Sequence, residues 1–348
     1  GGGRFNNARP PMGGRRRGPV DERIEHARFI NKATEVPAAE VYVNKHTFAD
    51  FALHENMKDA VIKKGYVTPT PIQDSAIPHI LEGKDIVGIA NTGTGKTGAF
   101  LIPLLNKVGM NIDEKVLIMV PTRELAVQIQ DEFRGFAKHL RIFSVCVVGG
   151  ASIYKQISDL RREYNFVIGT PGRIKDLIER DVLDPAEFNT VVLDEADRML
   201  DMGFVHDMRE IMAKMPEERH TLFFSATLSR DIEKLIGDFL NNPVRVSVKT
   251  RDTSTNVDQD VVRVKKGDNK VDVLHDLLSK EEFSKVLIFG RTKHGVEKLS
   301  KVLTERGFKA ESIHGNKSHS QRQRALGNFK DSPSNVLVAT ELAARGLD

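Results

Sequence analysis

Lys96 and Thr97 close the run Ala90-Asn-Thr-Gly-Thr-Gly-Lys-Thr97. A lysine behind two glycines suits a phosphate group. Gly93 and Gly95 let the backbone take turns that a side chain would block, so successive amides can point at phosphate oxygens. A helix predicted to start directly after the loop, over 98–106, adds positive potential at its N-terminus. In that setting Thr92, Gly93, Thr94 and Gly95 line the phosphates, Lys96 reaches the β- and γ-phosphates, and Thr97 offers its hydroxyl to Mg²⁺. The usual pattern opens with Gly where this chain has Ala90, and glycine-rich turns also serve purely structural ends.

A second run, Val191-Val-Leu-Asp-Glu-Ala-Asp197, puts carboxylates at the C-terminal end of an apolar strand, where ligands of open α/β sheets bind. Asp194 can hold Mg²⁺ directly or through water. Glu195 is then placed to orient and polarise an attacking water, because phosphoryl transfer depends on positioning and charge neutralisation more than on covalent chemistry. Alone, the pair would serve equally well as a solvated loop with a helix N-cap; beside Lys96 the nucleotide reading prevails.

Both runs need rigid elements beneath them. From about Lys45 onward, short β-branched runs alternate with longer amphipathic stretches, the order of a parallel sheet covered by helices. Strands are predicted at 85–90, 116–120, 143–148, 166–169, 190–194 and 221–225, enough for one full domain. The stretch 241–255, with Pro243 and a polar run from Thr250, reads as a linker. A second series follows at 260–264, 286–289, 309–313 and 335–339 and stops at Asp348 after few strands. The expected architecture is α/β with two tandem parallel-sheet domains, the second incomplete. Its divisions are a tail and lead-in at 1–44, a first domain at 45–248, a linker at 249–257 and a second domain at 258–348.

The bulk properties agree with two globular cores in 348 residues. Apolar residues make up 40% and charged residues 29%, with no apolar run near the ~18 residues that cross a bilayer, so no membrane partner is expected. The single cysteine, Cys146, lies in the apolar run 143–148 and reads as a buried strand residue in a reducing, cytoplasmic setting. The net charge of +4 is uneven: Arg4, Arg9, Arg15, Arg16 and Arg17 give residues 1–20 a charge of +5, which leaves −1 for the rest. That Gly- and Pro-rich tail is expected to be disordered, binding RNA phosphates without sequence preference or simply aiding solubility.

Further runs flank the two phosphate motifs. Gly65-Tyr-Val-Thr-Pro-Thr-Pro-Ile-Gln73 precedes the glycine loop, with Phe48 upstream. The Gln73 amide can pair with the N6 and N7 edge of adenine and Phe48 can stack on the ring, although either alone is more often ordinary, Phe48 as core and Gln73 as surface. Pro121-Thr-Arg-Glu-Leu-Ala126, Gly149-Gly150 and Thr170-Pro-Gly-Arg173 each follow a predicted strand. Arg123 and Arg173 can pair with phosphate oxygens while the glycines expose amides, an arrangement suited to strand shape and not to bases. Ser225-Ala-Thr227 closes the sixth strand.

In order and spacing, with Asp-Glu-Ala-Asp at 194–197, these runs resemble the DEAD-box RNA helicases over about Lys45 to Asp348. The resemblance implies two RecA-like domains with ATP, Mg²⁺ and RNA in the cleft between them. It puts Phe48 and Gln73 on adenine and makes Ser225 and Thr227 a coupling motif bonded back toward Asp197. It puts Pro121, Thr122, Arg123, Gly149, Gly150, Thr170, Pro171, Gly172 and Arg173 on RNA. Val286-Leu-Ile-Phe-Gly-Arg-Thr292, His314-Gly315, Gln321-Arg-Gln-Arg324 and the run from Ala339 to Asp348 are similar to the family's later motifs. By that likeness Arg324 and Thr340 face RNA, and Gly346 and Asp348 approach the ATP ribose. Glu341 stands where the family usually has Asp, and Arg291-Thr-Lys-His-Gly295 with His314-Gly-Asn-Lys317 is most similar to the bacterial RhlE-type subgroup.

The implied activity is hydrolysis of ATP to ADP and phosphate, coupled to local unwinding of single strands and short duplexes of RNA without sequence preference. A monomer acting on ribosomal precursors or with RNA-degradation machinery is expected. The alternative is an ATP-gated RNA clamp; a DNA motor of the same superfamily is disfavoured by residues 65–73 and 194–197. The family's arginine-finger motif would lie beyond Asp348, so this chain is expected to bind ATP, hydrolyse it weakly and leave apolar strand faces of its second domain uncovered.

Overall fold

The computed structural model describes residues 42–248, 258–265, 267–331 and 335–340. The linker 249–257, the arginine-rich tail, Gly346 and Asp348 lie outside the described residues.

Seven parallel strands make the larger sheet: β1 (Ile86–Ile89), β2 (Val116–Met119), β3 (Ser144–Val147), β4 (Phe166–Gly169), β5 (Thr190–Leu193), β6 (His220–Ser225) and β7 (Val244–Ser247). Their order across the sheet is β3-β4-β2-β5-β6-β1-β7. The helices α1 (Glu55–Lys63) and α2 (Pro71–Leu81) precede β1, and α3 (Lys96–Met110), α4 (Arg123–Ala137), α5 (Ile153–Leu160), α6 (Pro171–Glu179), α7 (Ala196–Asp201), α8 (Val205–Ala213) and α9 (Arg230–Phe239) connect the strands. Period-two alternation divides the apolar strand residues between two cores. Val116 and Ile118 join the core beneath α1 to α4, whereas Leu117 and Met119 join that beneath α6 to α9. All four are fully buried, each worth roughly 1.5–3 kcal/mol relative to exposure.

The smaller sheet holds β8 (Val286–Gly290), β9 (Ala310–Ile313) and β10 (Val336–Thr340) in the order β8-β10-β9, again parallel. Helices α10 (Lys270–Leu278), α11 (Lys293–Glu305) and α12 (His319–Lys330) accompany it. Burial is uneven here: Val336 to Ala339 are buried, but Phe289 on β8 is 61% exposed.

One linker and one strand expectation fail. The stretch 241–255 is not linker throughout, because Val244–Ser247 forms β7 and pairs in register with Ile86–Ile89. Its Val-Arg-Val-Ser alternation was legible, but Pro243 and its place at the sheet edge masked it. Conversely, 260–264 forms no strand; a single bridge lies just before it, at Gln259. The lead-in is also shorter than expected, since Tyr42 donates to Asp74 Oδ2 at 2.8 Å and Asn44 to the Pro69 carbonyl at 2.8 Å.

Candidate functional site

The strand order sorts the motif loops into two groups along one sheet edge. β5, β6 and β1 are neighbours, so the acidic, Ser-Ala-Thr and glycine loops emerge side by side; β3, β4 and β2 are neighbours, which gathers the three basic loops. Backbone pairing fixes the first group, with Ile89 opposite Ser225 and the Ala90 amide donating to the Ser225 carbonyl at 3.0 Å.

Gly93 and Gly95 have φ of 75° and 92°, left-handed values that favour glycine. Ala90, the departure from the usual pattern, is 2% exposed within the core and needs no such conformation. Lys96 starts α3, is 6% exposed and donates to the Ala90 carbonyl at 3.1 Å, so its ammonium lies back across the loop. Thr94 closes the turn by donating to the Asn91 carbonyl at 2.7 Å. Thr97 stands in the first turn of α3, and Thr92 lies in the loop before it.

Gln73 is not a surface residue but is 1% exposed. Its Oε1 accepts from the Thr70 amide at 3.0 Å, closing a capping box on α2, and its Nε2 donates to the Gly95 carbonyl at 3.0 Å. A Cβ on Gly95 or Gly98 would come within 2.7 Å of that nitrogen, so the glycine loop and α2 fit only without side chains there. The amide retains one donor and one acceptor position for adenine. Phe48 is 5% exposed and packs edge-on to Phe51 and Tyr66, at 5.8 Å from each. Here it is a core residue, and stacking on adenine would need one of its faces uncovered.

Asp194 is 2% exposed and accepts from the Glu195 amide at 2.9 Å. Burial raises its pKa, while the Lys96 ammonium and that amide pull it back down. Glu195 has φ 53° and ψ 48°, rare for a non-glycine residue, so the chain turns sharply into α7 just where the second carboxylate is needed. Its Oε2 accepts from Arg198 at 3.0 Å. Thr227 donates to Asp197 Oδ2 through both its amide and its hydroxyl, each at 3.1 Å. Ser225 does not bond the acidic loop as expected; its hydroxyl donates to the Thr227 carbonyl at 2.8 Å and so shapes the tripeptide instead.

Among the described residues, no group of three or more His, Cys, Asp or Glu side chains could hold a metal alone. Thr97 and Asp194 still fit Mg²⁺, which takes one or two protein oxygens and completes its shell with water and substrate phosphates.

In the second group, every residue assigned to RNA except Gly150, Pro171 and Arg324 lines one cavity of about 370 Å³, including Thr340 from β10. Gly150 and Pro171 flank it: a Cβ on Gly150, where φ is 76°, would collide with the Arg123 guanidinium, and Pro171 starts α6. Thr122 caps α4 by accepting from the Leu125 amide at 3.2 Å, and the Thr170 amide donates to Val147 at 3.2 Å. Arg173 donates to Gln156 Oε1 at 2.9 Å and reaches the Ala151 carbonyl at 3.4 Å, bracing the Gly149-Gly150 loop. Burial and the nearby Arg322 and Arg173 lower the Arg123 pKa.

Arg324 is exposed; Arg322, two residues earlier, lines the cavity instead. The side chains of Arg322 and Glu124 meet at 2.8 Å. Sequence reasoning missed this pair and also Asp74, a buried carboxylate that accepts from Tyr42, the Lys45 amide and His46 and anchors α2. An Asp in the first turn of α2 gave no sign in the sequence of partners some thirty residues upstream.

The DEAD/DEAH box helicase family matches residues 70–235, and the helicase conserved C-terminal domain matches 269–348. RNA helicase CrhR of Synechocystis sp. is 43% identical over 303 residues, covering 87% of this chain and 62% of that protein. DEAD-box ATP-dependent RNA helicase CshA of Bacillus cereus is 42% identical over 304 residues, covering 87% of this chain and 58% of that protein. The chain thus spans about 60% of the length of these curated relatives. The crystal structure of a DEAD box protein from Methanococcus jannaschii aligns with a TM-score of 0.57 and 36% identity, covering 88% of this chain and 83% of that one. A hypothetical ATP-dependent RNA helicase from Sulfolobus tokodaii aligns at 0.52 and 30%, covering 85% of each. Identity of this order along most of a solved DEAD box protein, with both helicase families matched in sequence order, makes this chain a member of the DEAD-box helicase family.

Proposed function

We propose that this chain is the motor part of an ATP-dependent RNA helicase that binds ATP at the β5-β6-β1 edge and RNA backbone at the β3-β4-β2 edge. The observation that carries this reading is the sorting of six motif loops into those two neighbouring groups by strand order alone. The two domains are proposed at 45–248 and 258–348.

On this reading the amides of Gly93 to Thr97 and the Lys96 ammonium bind the phosphates, and Gln73 reads the adenine edge while holding the loop through Gly95. Bound Mg²⁺, held by Thr97 and Asp194, neutralises phosphate charge. Glu195 orients the attacking water and accepts its proton at a carboxylate oxygen. Thr227, bonded to Asp197, senses the acidic loop, and Ser225 keeps the tripeptide in shape. Arg123, Gly149, Thr170 and Thr340 contact RNA phosphates and sugars, while Arg173 braces the Gly149-Gly150 loop. No helix among the described residues is long and apolar enough to cross a membrane. The single cysteine suits a reducing cytoplasm, and its thiol, pushed up to about 12 by burial, is unreactive at neutral pH.

ATP turnover should be measured with single-stranded RNA, with single-stranded DNA and with neither, and repeated with GTP. Stimulation by RNA but not DNA, with ATP preferred over GTP by ~10-fold for one bidentate base contact, supports the reading. Equal stimulation by DNA would point to a DNA motor, and equal use of GTP would remove Gln73 from the adenine site.

A further inference from the structure

The acidic loop gathers the carboxylates of Asp194, Glu195 and Asp197, and each has a partner of its own. Asp194 accepts from the Glu195 amide at 2.9 Å, and Asp197 accepts from the Thr227 amide and hydroxyl at 3.1 Å each. Glu195 accepts at Oε2 from Arg198 Nη1 at 3.0 Å. The Asp194 and Asp197 contacts lie within motifs that already have a role in the proposed chemistry. Arg198 has none.

An ion pair between residues three or four apart is ordinarily a surface feature worth little. The other such pairs among the described residues fit that description, with the acidic side chain 35–82% exposed. In this pair the Glu195 side chain is 5% exposed and that of Arg198 29%. α7 does not depend on the contact to stay in place, because Ala196 and Met199 are fully buried in the core. What the contact does fix is the Glu195 side chain. The left-handed backbone at φ 53° and ψ 48° sets where that side chain leaves the loop, and the guanidinium restrains the torsions beyond it. A group that must meet one water in one direction gains from such restraint.

We infer that Arg198 is a positioning residue for ATP hydrolysis, holding the Glu195 carboxylate in the orientation that receives the attacking water. The inference deepens the ATPase reading proposed above and rests on it. In the step it serves, the water oxygen bonds to the γ-phosphorus while the bond from that phosphorus to the ADP oxygen breaks and its electron pair leaves with ADP; a water proton passes to Glu195. Arg198 enters this step through Glu195. It also faces Asp194, whose pKa burial raises and Lys96, the Glu195 amide and Arg198 lower, so the test has to separate an effect through Glu195 from one through the carboxylate proposed to hold Mg²⁺.

The test is single-turnover phosphate release by the chain, Arg198→Met, Arg198→Lys, Glu195→Gln and the double variant Arg198→Met/Glu195→Gln, with the affinity for a fluorescent ATP analogue and a melting curve for each. Arg198→Met should slow release by ~10–100-fold, the usual cost of losing a partner that orients a reacting group, while nucleotide affinity stays within about twofold. Arg198→Lys, which keeps a cation within reach, should recover part of the loss. The double variant should be no slower than Glu195→Gln alone, because Arg198 has no base to orient once Glu195 is an amide. Release at the parent rate in Arg198→Met overturns the inference. So does an equal further slowing in the Glu195→Gln background, which would put the effect on Asp194 or the phosphates, and so does a loss that follows weaker nucleotide binding. If Arg198→Met does not fold, parent-rate release in Arg198→Ala, which keeps a good helix former in α7, is sufficient to overturn it. Failure of the underlying reading has its own signs: a parent chain that releases no phosphate, or Glu195→Gln at the parent rate, removes Glu195 as the base and this inference with it.

Discussion

The loops after β1, β5 and β6 and those after β2, β3 and β4 leave the same sheet edge, yet they handle charge differently. In the first group the charged and amide side chains have partners, Lys96 on Ala90, Gln73 on Thr70 and Gly95, Asp194 on the Glu195 amide and Thr227 on Asp197, although the Thr70 hydroxyl has none. In the second, buried Glu124 and half-buried Arg322 meet at 2.8 Å with Arg322 Nε left unpartnered, and Arg123 lies close to Arg322 and Arg173. A satisfied network holds its geometry before the ligand arrives, as transfer chemistry requires. An unsatisfied one is stabilised by the anion it meets, as a site that grips and releases a backbone requires.

That contrast can be broken most severely at Glu195. Glu195→Gln keeps the shape but removes the base, so single-turnover phosphate release should fall by ~10²–10⁴ while ATP affinity stays within a few-fold. Normal turnover would show that the acidic loop only scaffolds. A smaller effect is expected from Arg123→Ala: about tenfold weaker RNA binding and a salt slope lower by ~1, uniformly across sequences. Arg173→Ala should lower the melting temperature more and the slope less, because that side chain is already committed to Gln156 and Ala151. Equal slopes for the two would show that bracing and phosphate contact are not separate roles.

The smallest effect concerns stability. Burial raises the Asp194 pKa above the ordinary 3.8, so folding favours its neutral form relative to the unfolded chain. Its contribution to stability is therefore present below the ordinary value and lost as pH rises through the raised folded value. Asp194→Asn removes that loss, and the ligand-free variant should melt higher at neutral pH, with the difference vanishing in acid. A variant that melts lower at neutral pH would mean that attraction to Lys96 outweighs burial.

Much of this contrast was legible in the sequence because both loop groups follow strands whose β-branched runs are unambiguous. Six of the seven strands in the larger sheet fall where the alternation put them, within about two residues. What escaped depends on contacts between distant residues. β7 is hidden behind Pro243 and exists because it pairs with β1, some 158 residues earlier; that spacing is 244 minus 86. The bracing role of Gln73 needs the Gly95 carbonyl, 22 positions away, and nothing in residues 65–73 indicates it. That Arg322 and not Arg324 lines the cavity follows from the facing of α12, and a basic run of two arginines with one residue between them leaves that facing open. The expected strand at 260–264 failed for the opposite reason: a β-branched pattern is insufficient without a neighbour to pair with.

The central claim is that one sheet edge holds two separable sites, and one measurement tests it directly: the affinity of Lys96→Ala for a fluorescent ATP analogue and for single-stranded RNA, in the same buffer as the parent chain. Loss of a charge-assisted phosphate contact worth ~3 kcal/mol should weaken nucleotide binding on the order of 100-fold. RNA affinity without nucleotide should stay within about twofold, because Arg123 and its neighbours lie beyond the reach of Lys96 on the far side of β5. Nucleotide binding that survives the substitution, or RNA binding that falls with it, would contradict the account.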